Sequence, residues 1–165
     1  MIVTTANGGT VKVAPGVDLT GADLRGASFA DVNLSGVDLT GADLRGVYLV
    51  GANLRGANLT GANVWEADLS HANLRGAVFR GAYLHGTDFT GAILRGADMR
   101  GANLTCADLS YSDLTGANLR GAYLTRADLI EADLTGAKLN GTDLRHATMN
   151  DVKAGHGTDF SGATM

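Results

Sequence analysis

Cysteine is nearly absent from this chain. Cys106 stands alone, so no intrachain disulfide can form and nothing implies an oxidising compartment. Proline also occurs once, at Pro15, against 24 glycines. Scattered glycine in that amount would point to disorder, but glycine at a fixed spacing marks corners. Strong charge of one sign is missing too. Lys and Arg number 13 and Asp and Glu 17, a net charge of −4, too mild to specify a partner by itself. The opening MIVTTANGGTVKV has no basic start and no long apolar run. Neither a signal peptide nor a membrane span is expected, and the expected location is cytoplasmic.

What the chain does have is a period. A large apolar residue recurs at every fifth position from Leu19 to Met149, through 27 consecutive units. Leu fills 21 of these centres, and Phe29, Val64, Phe79, Phe89, Met99 and Met149 fill the others. Two residues before each centre stands a small residue, Ala in 20 of the 27 units. A fixed short period specifies a repeat architecture. On a helix, which turns about 100° per residue, every fifth residue drifts around all faces. On a straight strand, residues five apart point to opposite faces. A chain that runs extended for three residues and then bends satisfies the pattern. The small residue and the Leu, two apart, then share the inward face, and the next two residues form a corner. Gly dominates the second corner position, as at Gly21, Gly26, Gly36 and Gly41. A type II turn needs positive φ at that place, which Gly supplies without strain.

The stretch GADLRGVYLVGANLRGANLTGAN resembles the pentapeptide-repeat family, whose consensus is A(D/N)LXX, and the resemblance runs from Val17 to Asp151. It implies an all-β fold, a right-handed quadrilateral β-helix with four units to a coil. Coils stacked at the strand spacing of about 4.8 Å would give nearly seven turns and a rod roughly 32 Å long. A square core filled with Leu and Ala leaves no cavity, and flat sides offer no cleft. An enzyme is not expected, nor a cofactor.

The two ends leave the period. Residues 1–16 read as a capping hairpin, two short strands joined at Asn7-Gly8, because that dipeptide favours a tight hairpin turn. A solenoid end exposes unpaired backbone and core side chains, so a cap is expected. Residues 17–151 form the solenoid. Over 152–165 the register slips: Ala154 falls in a core place, and Phe160 and Met165 resume the spacing one residue late, after AGHG. No amphipathic helix closes this end. The expectation is a truncated chain or an end-to-end homodimer that covers Met149, Phe160 and Met165.

Under the four-unit reading, residues 20 apart stack in columns on four faces, named here by their first centres Leu19, Leu24, Phe29 and Leu34. On the Leu19 and Leu34 faces every second corner through Gly141 is Gly, and all exceptions fall on the other two. Different turn types on the two sides of the rod are the expectation. The Phe29 face stacks Asp68, Asp88, Asp108 and Asp128, with Glu66 and Glu131 near, a candidate acidic partner face. Like charges at that spacing repel by roughly 1 kcal/mol or less in water. The Leu19 face is flanked by two candidate basic columns, Arg55, Arg75, Arg95 and Arg80, Arg100, Arg120. Trp65, Tyr83, His85 and Tyr123 share the Leu24 face or its corner, a candidate aromatic patch, since exposed aromatics favour protein interfaces. The four histidines, His71, His85, His146 and His156, make no ligand set of usual spacing, so no metal is expected. Cys106 stacks next to Arg126 with no His in an adjacent unit, so a catalytic nucleophile is not expected.

The family resemblance implies a non-enzymatic protein-binding rod. Its best-known members match duplex DNA in width and charge, bind type II topoisomerases such as DNA gyrase, and protect them from quinolones or albicidin-like poisons. The acidic Phe29 face fits that expectation; the mild net charge and the Arg columns weigh against it. Two alternatives stand beside it: an interaction rod with an unassigned partner, and polyanion binding through the arginine columns. Direct nucleic-acid binding is the less favoured, and no membrane contact is expected.

Overall fold

A computed structural model of the chain describes residues 2–4 and 8–165. From Asp18 onward each outward residue bridges, in parallel, the residue twenty places later: Asp18 with Asp38, Asn33 with Asn53, Asp68 with Asp88, and so on to Asp133 with Lys153. Five-residue units that return to register after twenty residues have four sides. The chain is a right-handed quadrilateral β-helix of about seven coils. Among the described residues no α-helix forms, and no helix is long and apolar enough to cross a membrane. Each side is one bridge wide and bonds in both directions along the axis. The outward Asp38 donates its N–H to the Val17 carbonyl at 3.0 Å, and the central Leu39 donates to Asn58 at 2.7 Å.

The core follows the period. Leu84 and Leu94 are fully buried, as are the small residues between the centres, such as Ala62 and Ala97. Phe79 and Phe89 enter one coil from opposite faces and meet edge to face, ring centroids 6.0 Å apart at 88°, the favoured aromatic geometry. Val64, a smaller centre, lies buried in the coil below. Where Thr replaces the inward Ala, its hydroxyl is satisfied: Thr87 Oγ1 donates to the Val64 carbonyl at 2.7 Å and Thr142 Oγ1 to Leu119 at 3.0 Å. Burying a hydroxyl is tolerable on that condition. The gap enclosed by the first two coils, from Leu19 to Leu49, has no room for a water molecule.

The corners overturn one expectation. Both sides of the rod use the same turn. In each, the N–H of the following small residue donates to the central residue's carbonyl, as in Ala42 to Leu39 at 3.0 Å and Ala132 to Leu129 at 3.0 Å. The second corner residue has positive φ in every regular coil, 60–70° for Gly and 53–61° for Asp31, Glu66, His71, Cys106, Tyr111, Arg126, Glu131, His146 and Asp151. The non-glycine residues therefore occupy left-handed backbone at a steric cost; they do not mark a second turn type. The side chains of Asp31, Glu66 and His71 lean over the next coil. A Cβ added at Gly51 would meet Asp31 at 2.5 Å, and one at Gly91 would meet His71 at 2.8 Å. At these two sites a Cβ would have to displace the tip of the side chain below it, beside the demand that positive φ makes.

Strand β1 (Ile2–Thr4) pairs antiparallel with β2 (Thr10–Lys12), Val3 opposite Val11. Asn7 of the expected turn lies outside the described residues. Val13 follows β2 into the core, and Pro15-Gly16 makes the first corner, Val17 N–H to Ala14 carbonyl at 3.2 Å. Pro suits the second position of such a turn and Gly the third. At the other end the slip is one residue: Lys138 bridges Asp159 and Asp143 bridges Thr164. Thr158 repairs the displaced corner. Its Oγ1 accepts the Gly136 N–H at 3.2 Å and donates to the Leu134 carbonyl at 2.8 Å.

Candidate functional site

The outward residue of a unit bridges its column neighbours, and where it is Asp or Asn its side chain folds back onto the corner. The Oδ1 atom of Asp68 accepts the Ser70 N–H at 3.0 Å and the Ser70 hydroxyl at 2.6 Å. Asp88, Asp108 and Asp128 accept the N–H of Thr90, Ser110 and Ile130 at 2.8, 2.9 and 2.9 Å. Asn takes the same part on other faces, as in Asn73 to Arg75 at 3.3 Å. Asp and Asn are favoured here because a short side-chain carbonyl reaches the backbone two residues on.

The charge pattern depends on the residue two places beyond each outward position. On the Leu24 face, Arg25, Arg45 and Arg145 each grip the Asp two residues before, at 2.7–2.8 Å. On the Leu19 face, Asp98 receives Arg100 from its own coil at 2.8 Å and Arg80 from the coil below at 2.7 Å. Arg95 reaches Asp113 at 3.4 Å and Arg120 bonds the Asn140 side chain at 2.9 Å. Those hydrogen bonds hold the Asp23 and Asp98 carboxyls down at about 2 and push Asp43 and Asp143 the same way. Arg55 and Arg75 come two residues after Asn53 and Asn73, and among the described residues neither makes an ion pair. The two basic columns are therefore stacked as expected, but half their charge is tied to carboxylates. The signal was in the sequence: Asp-x-Arg pairs within a coil, and Asn-x-Arg makes no ion pair among the described residues.

The Phe29 face is different. Asp68, Asp88, Asp108 and Asp128 bridge one another in unbroken succession. Their corner partners are Ser, Thr, Ser and Ile, and among the described residues no Lys or Arg lies within ion-pair distance of any of them. Glu66 and Glu131 stand exposed on the two corners that bound this face. It is the longest column of carboxylates without an ion pair along the described rod; Asp18 and Asp38 stack as a shorter one on the Leu19 face.

The aromatic patch is gathered only in part. Trp65 and His85 are in ring contact, centroids 5.4 Å apart and tilted by 52°. Tyr83 lies two residues before His85 on the same coil, exposed. Tyr123 stands two coils further along, with Asn103 bridged between it and Tyr83. Tyr48, Tyr111 and Ile93 are exposed as well; they sit singly, and no column pattern in the sequence marks them. At the C-terminal end Met149 and Phe160 are half-buried, and Met165 is 70% exposed.

A family profile described as pentapeptide repeats matches the chain in 8 copies, over residues 16–51, 39–76, 57–96, 82–121 and 112–151. The chain belongs to the pentapeptide-repeat family. Among solved pentapeptide-repeat structures it is similar to HetL, involved in heterocyst differentiation regulation in the cyanobacterium Nostoc sp. strain PCC 7120. The identity is 33%, over 89% of this chain and 71% of that one, with a TM-score of 0.44. It is similar also to QnrB1, a plasmid-mediated fluoroquinolone resistance protein, at 21% identity over 91% and 83% of the two chains, TM-score 0.49. A pentapeptide-repeat protein of the Arabidopsis thaliana thylakoid lumen matches at 28% identity over 76% and 66%, TM-score 0.39. No curated protein matches the chain.

Proposed function

We propose that this pentapeptide-repeat protein is a non-enzymatic binding rod that presents its acidic Phe29 face to a basic surface of a protein partner. The observation that carries this reading is the contrast in compensation. Asp98 on the Leu19 face and Asp23, Asp43 and Asp143 on the Leu24 face are gripped by arginine, and Asp18 and Asp38 form a stacked pair bonded to Thr20 and Thr40, whereas Asp68, Asp88, Asp108 and Asp128 make an unbroken column of four bonded only to the chain's own corner N–H and hydroxyl groups. Uncompensated charge at a regular spacing steers a basic partner and sets its register. The partner class is a DNA-binding protein surface, with DNA gyrase the first to test, in line with the family resemblance. The mimicry is of low charge density. The column carries one charge per ~4.8 Å of rod, where duplex DNA carries one per ~1.7 Å.

Purified protein should inhibit gyrase supercoiling, and the double variant Asp88→Lys, Asp108→Lys should lose that inhibition while keeping its β-rich circular dichroism. Inhibition equal in parent and variant would remove the acidic face as the contact; no inhibition by the parent would remove gyrase as the partner. As part of the same proposal, the half-buried Phe160 and exposed Met165 of the last coil join two copies end to end.

A further inference from the structure

The acidic face and the aromatic corner meet at Gly86. On two successive coils a ring stands on one side of the corner and a carboxylate on the other: Trp65 with Asp68, then His85 with Asp88. Between them the corner of the upper coil is bare, because Gly86 occupies it with φ +63°. The Glu66 side chain leans across that glycine, its Cγ at 3.6 Å from where a Gly86 Cβ would be. The Oδ1 of Asp88 is committed to the Thr90 N–H; among the described residues its Oδ2 has no partner. The rings of Trp65 and His85, tilted against each other, wall the notch on its other side.

We infer that this notch over Gly86 is an arginine subsite: it takes a guanidinium from the basic partner, stacked on the Trp65–His85 pair and bonded to Glu66 and Asp88. The inference rests on the acidic-face reading and names the chemistry that the face selects. A flat guanidinium with five donors can lie on a ring and bond two carboxylates at once, whereas an ammonium offers a point charge and no flat face. The acidic column alone would attract lysine and arginine equally; the aromatic corner discriminates between them. It also supplies an anchor of the residue types that dominate interface energies.

The chain has one tryptophan, and it lies in the notch, so intrinsic fluorescence reports on the site directly. Hexa-arginine and hexa-lysine peptides are titrated into the full-length protein at low salt. Hexa-arginine should perturb the Trp65 emission and bind about 3-fold more tightly than hexa-lysine. Three variants are then followed with dye-labelled peptides by anisotropy. Trp65→Ala should erase that preference, weakening hexa-arginine more than hexa-lysine. Glu66→Gln should weaken hexa-arginine more than hexa-lysine. Asp108→Lys, one coil away from the notch, should weaken both peptides alike and leave the preference intact. Equal affinity of the two peptides for the parent, an arginine preference that survives Trp65→Ala, or no binding of either peptide would overturn the subsite. The gyrase reading fails separately: a parent that prefers hexa-arginine yet leaves supercoiling untouched keeps the subsite and loses that partner.

Discussion

At the residue scale, two positions in each unit carry most of the physics. The second corner residue must accept left-handed backbone. Gly101 has φ +63° and open space where a Cβ would go, so only conformation argues for glycine there. Gly101→Ala should lower stability by about 1 kcal/mol, whereas Glu131→Gly, which relieves φ +55°, should raise it by less than ~1 kcal/mol because glycine also costs chain entropy. Urea denaturation midpoints compare the two; a loss at Gly101 of several times that size would mean a steric conflict that the structure does not show. The outward carboxylates carry the other part. Asp98 is held at about 2 chiefly by Arg100, then by Arg80. A folded carboxyl below its unfolded value contributes stability above pH ~4 and loses it as pH falls toward about 2. Asp98→Asn should therefore be less stable than the parent at pH 7, with the difference closing near pH 2. A difference that stayed constant across that window would remove the ion pairs as its source.

At the scale of one coil, stability is a nearest-neighbour matter, because each coil touches only the coils above and below. Leu84 sits on the fourth coil, fully buried, with Phe79 and Phe89 on the neighbouring sides. A leucine there contributes roughly 1.5–3 kcal/mol by burial, and a lysine ammonium would find no partner. Leu84→Lys should open the middle coils, read as loss of far-ultraviolet β signal and as new proteolysis in that region. A variant that melts within a degree or two of the parent would contradict an interior position. The last coil shows the same logic in repair: one extra residue displaces a carbonyl, and the Thr158 hydroxyl takes its place.

For the whole molecule, the stacked coils turn local choices into long-range fields. One Asp without an Arg two residues later is unremarkable; four in one column make a charged edge. The same stacking sets exposed Met165 beside half-buried Phe160 in the last coil. Phe160 and Met165 carry core spacing with no coil above them in the structure. The proposed end-to-end pair should appear in light scattering as a dimer at micromolar concentration and revert to a monomer on Phe160→Asp. A monomer mass that Phe160→Asp leaves unchanged would reject it.

The sequence by itself determined the periodic core, the place of every corner and the hairpin that precedes the first coil. These are encoded within five residues, where apolar spacing and glycine leave few solutions. It also held the Asp-x-Arg and Asn-x-Arg distinction, which a strand period of two makes readable and which sorting by columns alone does not bring out. The number of units in a coil was not legible in the period, because it depends on the angle turned at each corner; only the bridges twenty residues apart establish it. The uniform turn was likewise undecided. Residue identity at Glu66 or Tyr111 disfavours left-handed backbone, and the ladder bonds of the neighbouring coils impose it. Contacts between coils belong wholly to the tertiary structure. Arg80 reaches Asp98 across eighteen residues, and Trp65 meets His85 across twenty. Neither can be read from a local pattern, because each depends on which side chains the stacking brings within reach.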